Sequence, residues 1–206
     1  MTTNSYSMQT DYRSFPVGNR WLVCPPETEP REDSGRLHLI MDRGAFGSGE
    51  HETTRSCLEL LETLRPKAEL KILDLGSGTG ILSIAALLLH PGHAWGVDID
   101  AAAIESGRRN CQLNGIGEQV THLHGTLEQL QVTNFNLILA NIYGDILLDL
   151  APELVDRTAP GGVMILSGIL WEYNFDVRKS YQQLGCKLIR NRLLEEFSTI
   201  VLEKER

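Results

Sequence analysis

An apolar run that ends in a glycine-rich turn is the feature that most constrains this chain. Residues 71–75 read Lys-Ile-Leu-Asp-Leu, and residues 76–80 read Gly-Ser-Gly-Thr-Gly. A buried strand that turns through glycines into a helix lets a nucleotide-like ligand approach bare backbone, because glycine lacks a Cβ and tolerates unusual backbone angles. The pattern therefore predicts a strand, a tight turn and a helix start at a ligand site.

Strand and helix patterns alternate regularly after residue 71. Such alternation favours βαβ crossovers and a mostly parallel sheet, that is, an α/β fold. Two apolar runs near the C-terminal end flank a polar stretch without a helix between them, which predicts a terminal antiparallel strand pair. The predicted strands are 72–75, 94–99, 120–123, 137–140 and 163–167. The predicted helices are 79–90, 101–114, 144–157 and 171–184. The terminal pair consists of 187–189 and 199–202. Residues 160–162, Pro-Gly-Gly, predict a turn.

The residues before the glycine turn are less regular. Short strands are predicted near 15–26 and at 36–41, followed by a glycine-containing loop at 44–51 and a helix at 53–64. We therefore expect an N-terminal extension, residues 1–34, and one main domain, residues 35–206.

Composition narrows the class of protein. The net charge of −8 argues against the broad basic surface of a nucleic-acid-binding protein, so no direct nucleic-acid partner is expected. The four cysteines form no Cys-x-x-Cys pair, so we expect free thiols and no metal site. No signal peptide and no run of 18 apolar residues is present, so we expect a cytoplasmic protein without a membrane partner.

Two aspartates and the glycine spacing bear on the ligand. Dinucleotide sites use Gly-x-Gly-x-x-Gly, but position 81 is Ile and the third glycine comes at Gly80. Asp98, near the end of the second predicted strand, is placed to accept hydrogen bonds from ribose hydroxyls, while Asp100 is the better helix N-cap. Asp74, immediately before the glycines, would repel a pyrophosphate but tolerate an ammonium group. These features favour S-adenosylmethionine over NAD.

Several motifs in order resemble the ribosomal protein L11 methyltransferase family. They are Phe-Gly-Ser-Gly-Glu-His-Glu-Thr-Thr at 46–54, the glycine turn, Gly-Val-Asp-Ile-Asp at 96–100, Ala-Asn-Ile at 140–142 and Leu-Ser-Gly-Ile-Leu at 166–170. The resemblance implies the class I S-adenosylmethionine-dependent methyltransferase fold, a Rossmann-like seven-stranded sheet that is mostly parallel with a C-terminal antiparallel pair. The glycine turn, the two aspartates and the resemblance together give the expected cofactor-binding residues, which are Phe46, Thr54, Asp74, Gly76, Ser77, Gly78, Gly80, Asp98, Ile99 and Asn141.

The chain also departs from the family pattern. Where the pattern usually reads Gly-Thr-His-Pro-Thr-Thr, this chain carries Glu50 and Glu52, which either attract a cationic amine or are solvated acids at a helix start. Asn141 is followed by Ile142 and Tyr143, an arrangement similar to the Asn-Pro-Pro-Tyr loop of other N-methyltransferases. Family members also resemble a two-domain design, whereas only about 70 residues precede the glycine turn here, so the usual substrate-recognition domain is not expected.

The leading hypothesis is an S-adenosylmethionine-dependent N-methyltransferase that acts on a protein amine, with ribosomal protein L11 as the family default. The expected catalytic residues are Asn141, Tyr143 and His51, with Glu50 or Glu52 as alternative bases for an amine that must lose a proton before attack. A small-molecule N-methyltransferase, an NAD-dependent oxidoreductase and a cofactor-binding module without catalysis remain as alternatives.

Overall fold

The computed structural model describes residues 13–27, 35–42, 49–66 and 68–206. Ten strands and six helices occur in these ranges: β1 (Phe15–Val17), β2 (Trp21–Cys24), β3 (Leu37–Ile40), α1 (Glu52–Leu61), β4 (Leu70–Leu75), α2 (Ile81–Leu89), β5 (Gly92–Asp98), α3 (Ala101–Leu113), β6 (Val120–His124), β7 (Phe135–Asn141), α4 (Gly144–Asp149), α5 (Ala151–Arg157), β8 (Thr158–Leu170), α6 (Trp171–Gln183), β9 (Cys186–Leu193) and β10 (Phe197–Lys204).

Seven of the strands form one sheet in the order β6-β5-β4-β7-β8-β10-β9. The first five strands in that order pair in parallel, and β10 runs antiparallel to both of its neighbours, β8 and β9. The predicted sheet, including the C-terminal antiparallel pair, is therefore confirmed. Because parallel strands end at the same edge, the C-terminal ends of β4, β5 and β7 converge there.

Helices cover both faces of the sheet. Side chains alternate along each strand, so Ile72 of β4 packs among residues of α1 and α2, whereas Leu73 and Leu75 pack in a second cluster with residues of α4, α5 and α6. A parallel sheet buried on both faces requires continuous apolar strands, as in β4 and β7.

The N-terminal strands form a separate small sheet in the order β1-β2-β3. Trp21 of β2 is fully buried in the same cluster as α1 and α2, and its indole Nε1–H donates to the carbonyl oxygen of Leu58 at 3.0 Å. β2 pairs in parallel with β3, so the small sheet crosses the boundary expected between residues 34 and 35. The segment packs onto the main domain as part of its core.

Two local expectations are wrong. The helix expected at 144–157 is divided at Leu150 into α4 and α5, because Pro152 cannot donate a helical hydrogen bond and fits only the first turn of a new helix. The Pro-Gly-Gly segment at 160–162 lies inside β8, where the register with β7 shifts, and Gly161 has a φ of +75°. The sheet absorbs these residues as a bulge.

Candidate active site

The glycine-rich turn is fixed to the neighbouring strand β5. The N–H groups of Gly76 and Ser77 both donate to the carbonyl oxygen of Val97, at 2.8 and 3.1 Å. Gly76, Gly78 and Gly80 have φ values of +68°, +52° and +77°, a region that favours glycine. The turn therefore delivers the chain from β4 into α2 along one defined path.

Packing and backbone conformation within the protein itself explain two of these glycines. A Cβ on Gly76 would collide with Cγ2 of Ile142, whereas a Cβ on Gly80 would make only an ordinary contact with Gly107, so the left-handed φ of Gly80 is what favours glycine there. Glycine is therefore favoured at both positions whether or not a ligand binds. A ligand site is therefore indicated by the groups around the turn rather than by the glycines alone.

Asp98 presents its carboxylate at the end of β5. Oδ2 accepts a hydrogen bond from the N–H of Gly78 at 2.8 Å, and Oδ1 accepts one from the N–H of Asp100 at 2.9 Å. Each carboxylate oxygen has a second lone pair, so the group can also accept from a ribose diol. The N-cap role belongs to Asp100, whose Oδ1 accepts from the N–H of Ala102 at 2.8 Å.

Asp74 faces the interior. Its Oδ2 accepts hydrogen bonds from Oγ and from the N–H of Ser83 in α2, at 2.7 and 3.1 Å, and the residue is 1% exposed. Burial, only partly offset by these bonds, raises the pKa of Asp74 to about 7. Asp74 does not line the cavity described below, so its carboxylate supports the turn from behind rather than facing the pocket.

A cavity of about 480 Å³ opens above the C-terminal ends of β4, β5 and β7. Its lining combines the turn and Asp98, at the end over β5, with Asn141 and Tyr143, at the end over β7, and β4 lies between these two strands in the sheet. A second cavity of about 310 Å³ shares Gly76, Asp98 and Ile99 with the first. Further lining residues that the sequence does not predict include Gly125, Thr126, Leu127, Glu128, Ile146, Gly168 and Phe197. Residues 125–128 and Gly168 follow predicted strands, and this position is the sequence signal that could have found them. Ile146 lies within a predicted helix and Phe197 precedes a predicted strand, so no such signal marks them.

Asn141 and Tyr143 lie at the end of the cavity away from Asp98. Asn141 ends β7, and its side-chain Nδ2 donates to Oγ1 of Thr54 in α1 at 3.2 Å. Thr54 itself is buried and lies behind Asn141. Tyr143 is 67% exposed at the start of α4, so its ring is available at the cavity mouth.

His51 lines the same end of the cavity and caps α1. Its Nδ1 accepts from the N–H of Thr53 at 3.4 Å and lies 2.8 Å from Oγ1 of Thr53. A neutral ring whose Nδ1 accepts a hydrogen bond carries its proton on Nε2, and that tautomer has no free ring lone pair on Nε2 for an amine proton. The ring also packs edge to face against Phe197, with centroids 5.4 Å apart. This geometry favours His51 as part of the cavity wall rather than as a base that accepts the amine proton.

The remaining expected site residues have other positions. Ser77 is buried beside Gly96, and Phe46 lies outside the described residues.

Within the ranges that the structure describes, no group of three or more His, Cys, Asp or Glu side chains could hold a metal ion. In the same ranges, none of the helices combines the length and apolar character needed to cross a bilayer.

The lining around Asp98 suits the base and the ribose of an adenosine-containing ligand. Ile99 is 76% exposed next to Asp98, which gives an apolar face for a base beside acceptors for a ribose. The joined cavities lie within the size range of small-ligand sites. The sheet order, the terminal antiparallel pair and this site define a class I S-adenosylmethionine-dependent methyltransferase domain.

Comparison with known proteins identifies the family. The family model described as Ribosomal protein L11 methyltransferase (PrmA) matches residues 5–205. Ribosomal protein L11 methyltransferases from Trichlorobacter lovleyi and Geotalea uraniireducens are 42% and 36% identical over 85% and 92% of this chain, and the aligned parts cover 59% and 64% of those relatives. The chain belongs to the ribosomal protein L11 methyltransferase family, and it spans about 60% of the length of these relatives.

Solved structures agree on the fold. The crystal structure of a ribosomal protein L11 methylase from Lactobacillus delbrueckii subsp. bulgaricus matches 95% of this chain and 100% of that chain, with a TM-score of 0.85 and 24% identity. An RNA methyltransferase from Salinibacter ruber, solved in complex with S-adenosyl-L-homocysteine, matches 73% of this chain and 89% of that chain, with a TM-score of 0.56 and 19% identity.

Proposed function

We propose that this chain is an S-adenosylmethionine-dependent N-methyltransferase that methylates a protein amine, with ribosomal protein L11 as its substrate. The observation that carries the proposal is that Asp98 and Asn141 line one cavity above the converging ends of β5 and β7, the two strands that flank β4. Family membership favours this activity over an NAD-dependent oxidoreductase.

The residues divide the cavity into a cofactor end and an acceptor end. At the cofactor end, Asp98 would accept hydrogen bonds from the ribose hydroxyls and Ile99 would pack on the adenine. Asn141, held by Thr54, lies where the cofactor end meets the acceptor end. Tyr143 and Phe197 border the acceptor end.

The bound cofactor supplies an activated methyl group on a sulfonium. The protein therefore has to align the acceptor nitrogen and exclude water, which is catalysis by positioning. Transfer of a lysine ammonium into the cavity lowers its pKa, because burial disfavours the charged form. The exposed ring of Tyr143 offers the nitrogen a cation–π contact of about 0.5–2 kcal/mol as charge develops there.

Two measurements test the proposal. Calorimetry should show that S-adenosyl-L-homocysteine binds and that NAD does not. Labelled S-adenosylmethionine should transfer its methyl group to purified ribosomal protein L11, with Tyr143→Ala raising KM for the protein and leaving S-adenosyl-L-homocysteine affinity unchanged. Label that enters only small molecules of a metabolite extract would instead support a small-molecule methyltransferase. Binding without turnover on any amine would support a cofactor-binding module.

A further inference from the structure

Glu52 connects α1 to the turn between β9 and β10. Its Oε2 accepts a hydrogen bond from the N–H of Glu195 at 2.8 Å, and its Oε1 accepts from the N–H groups of Glu196 and Phe197, each at 3.3 Å. Hydrogen bonds to an ionised acceptor are stronger than neutral ones. One side chain therefore fixes three consecutive residues that are more than 140 positions away in the sequence.

The fixed turn forms part of the cavity wall. Phe197 lines the cavity, and its ring packs against that of His51, the N-cap residue immediately before Glu52. The carbonyl oxygen of Phe197 also accepts a hydrogen bond from the indole Nε1–H of Trp171, at 2.9 Å. Any displacement of the turn therefore moves an aromatic wall of the acceptor end.

We propose that Glu52 is a positioning residue that holds the β9–β10 turn against the start of α1 and thereby sets the Phe197 wall at the acceptor end of the cavity. The role in acceptor binding rests on the function proposed above. The hydrogen bonds themselves do not depend on it.

The ionisation of Glu52 agrees with this role. Partial burial raises the pKa of this carboxyl, but the three backbone N–H groups and the neighbouring His51 outweigh that effect, and the net pKa is lowered. The carboxylate is therefore charged at neutral pH, the form that accepts these bonds best.

The contact needs a side-chain hydrogen-bond acceptor at position 52. A proline side chain has no such acceptor. Proline is well suited to the first helical position, so Glu52→Pro should keep α1 while it removes the contact.

Glu59 provides a matched control on the same helix. Its Oε2 lies 2.6 Å from Nη1 of Arg192 in β9, so it also connects α1 to the hairpin, but neither residue lines the cavity. Glu59→Ala therefore removes a comparable contact without releasing Phe197.

The experiment compares Glu52→Ala, Glu52→Pro, Glu52→Gln and Glu59→Ala with the wild-type protein. We measure amide hydrogen exchange at residues 195–197, the affinity for S-adenosyl-L-homocysteine, and KM and kcat with ribosomal protein L11. Both Glu52→Ala and Glu52→Pro should speed exchange and raise KM by about tenfold, with cofactor affinity within about twofold of wild type. Glu52→Gln, which keeps one oxygen acceptor, should restore part of both effects, and Glu59→Ala should change neither.

Each outcome has a separate meaning. Wild-type exchange rates in Glu52→Ala would overturn the holding role, whether or not ribosomal protein L11 is methylated. Faster exchange with unchanged KM would overturn the acceptor role. A wild-type protein that does not methylate ribosomal protein L11 would overturn the substrate proposal alone, because the exchange data still decide the role of Glu52.

Discussion

Asn141 donates a hydrogen bond from its side-chain Nδ2 to Oγ1 of Thr54 at 3.2 Å, which joins the end of β7 to the first turn of α1. Thr54 is 1% exposed, so it cannot rearrange to follow a displaced partner. The helix α1 therefore sets the orientation of the amide that borders the cavity.

We predict that Thr54→Val lowers kcat/KM by about fivefold, because the loss of one hydrogen bond of about 1 kcal/mol releases the Asn141 amide. Valine has nearly the same shape, so the melting temperature should change little. Thr54→Ser keeps the hydroxyl and should retain most of the activity. Equal activity of the valine and serine variants would show that the hydrogen bond is not needed.

Asp98→Ala should weaken S-adenosyl-L-homocysteine binding by about 1–3 kcal/mol, because the ribose loses charge-assisted hydrogen bonds. Isothermal titration calorimetry measures this change. Asp149→Ala is the control, since it removes an exposed acid of the same charge that does not line either cavity. Equal affinity in wild type and Asp98→Ala would contradict the ribose assignment.

Gly76→Ala should destabilise the protein more than Gly115→Ala. Both glycines have similar φ values, +68° and +70°, so both variants carry the left-handed penalty of about 1–2 kcal/mol. Only Gly76 also meets the side chain of Ile142, whereas nothing lies within 4 Å of a Cβ on Gly115. Overpacking adds about 1–3 kcal/mol, measurable by urea unfolding. Ile142→Ala added to Gly76→Ala should recover part of this difference, and a Gly115→Ala variant that is equally destabilised would contradict the collision.

Asp74 should make stability depend on pH. Its pKa is raised from 3.8 to about 7 in the folded protein, so between these values the folded state retains a proton that the unfolded chain releases. Raising the pH from about 4 to about 7 therefore costs stability. Asp74→Asn keeps an oxygen acceptor for Ser83 and cannot ionise, so it should remove roughly 1–4 kcal/mol of this dependence. Urea unfolding at several pH values measures it, and an unchanged pH slope in Asp74→Asn would refute the assignment.

Local patterns in the sequence were enough for much of the fold. Short, mostly apolar runs that alternate with helical patterns along the chain predicted the central strands to within a few residues. A parallel strand that is buried on both faces needs such a run of apolar side chains. The antiparallel pair β9 and β10 was also predicted, although its strands extend into the polar stretch. The periodicity of 144–157 does not show the division at Leu150, because the apolar pattern continues across it and only Pro152, which suits the first turn of a helix, marks the new start.

The candidate site shows where sequence reasoning stops. Asp74 immediately precedes the turn and Asp98 ends the next strand, but strand alternation directs Asp74 under α2 while Asp98 lies at the cavity. The sequence predicts that Glu52 is either a solvated acid or an attractant for an amine, whereas its partners in the structure are backbone groups of a distant turn.

The sequence by itself determined the family, the sheet and the glycine turn, because each depends on residue types at fixed local spacing. Only the tertiary structure decided which side chains meet across the cavity. Phe197, His51 and Glu52 come together because the antiparallel strand β10 returns to the start of α1. Contacts between residues so far apart in the chain depend on strand order and register, which no local pattern specifies.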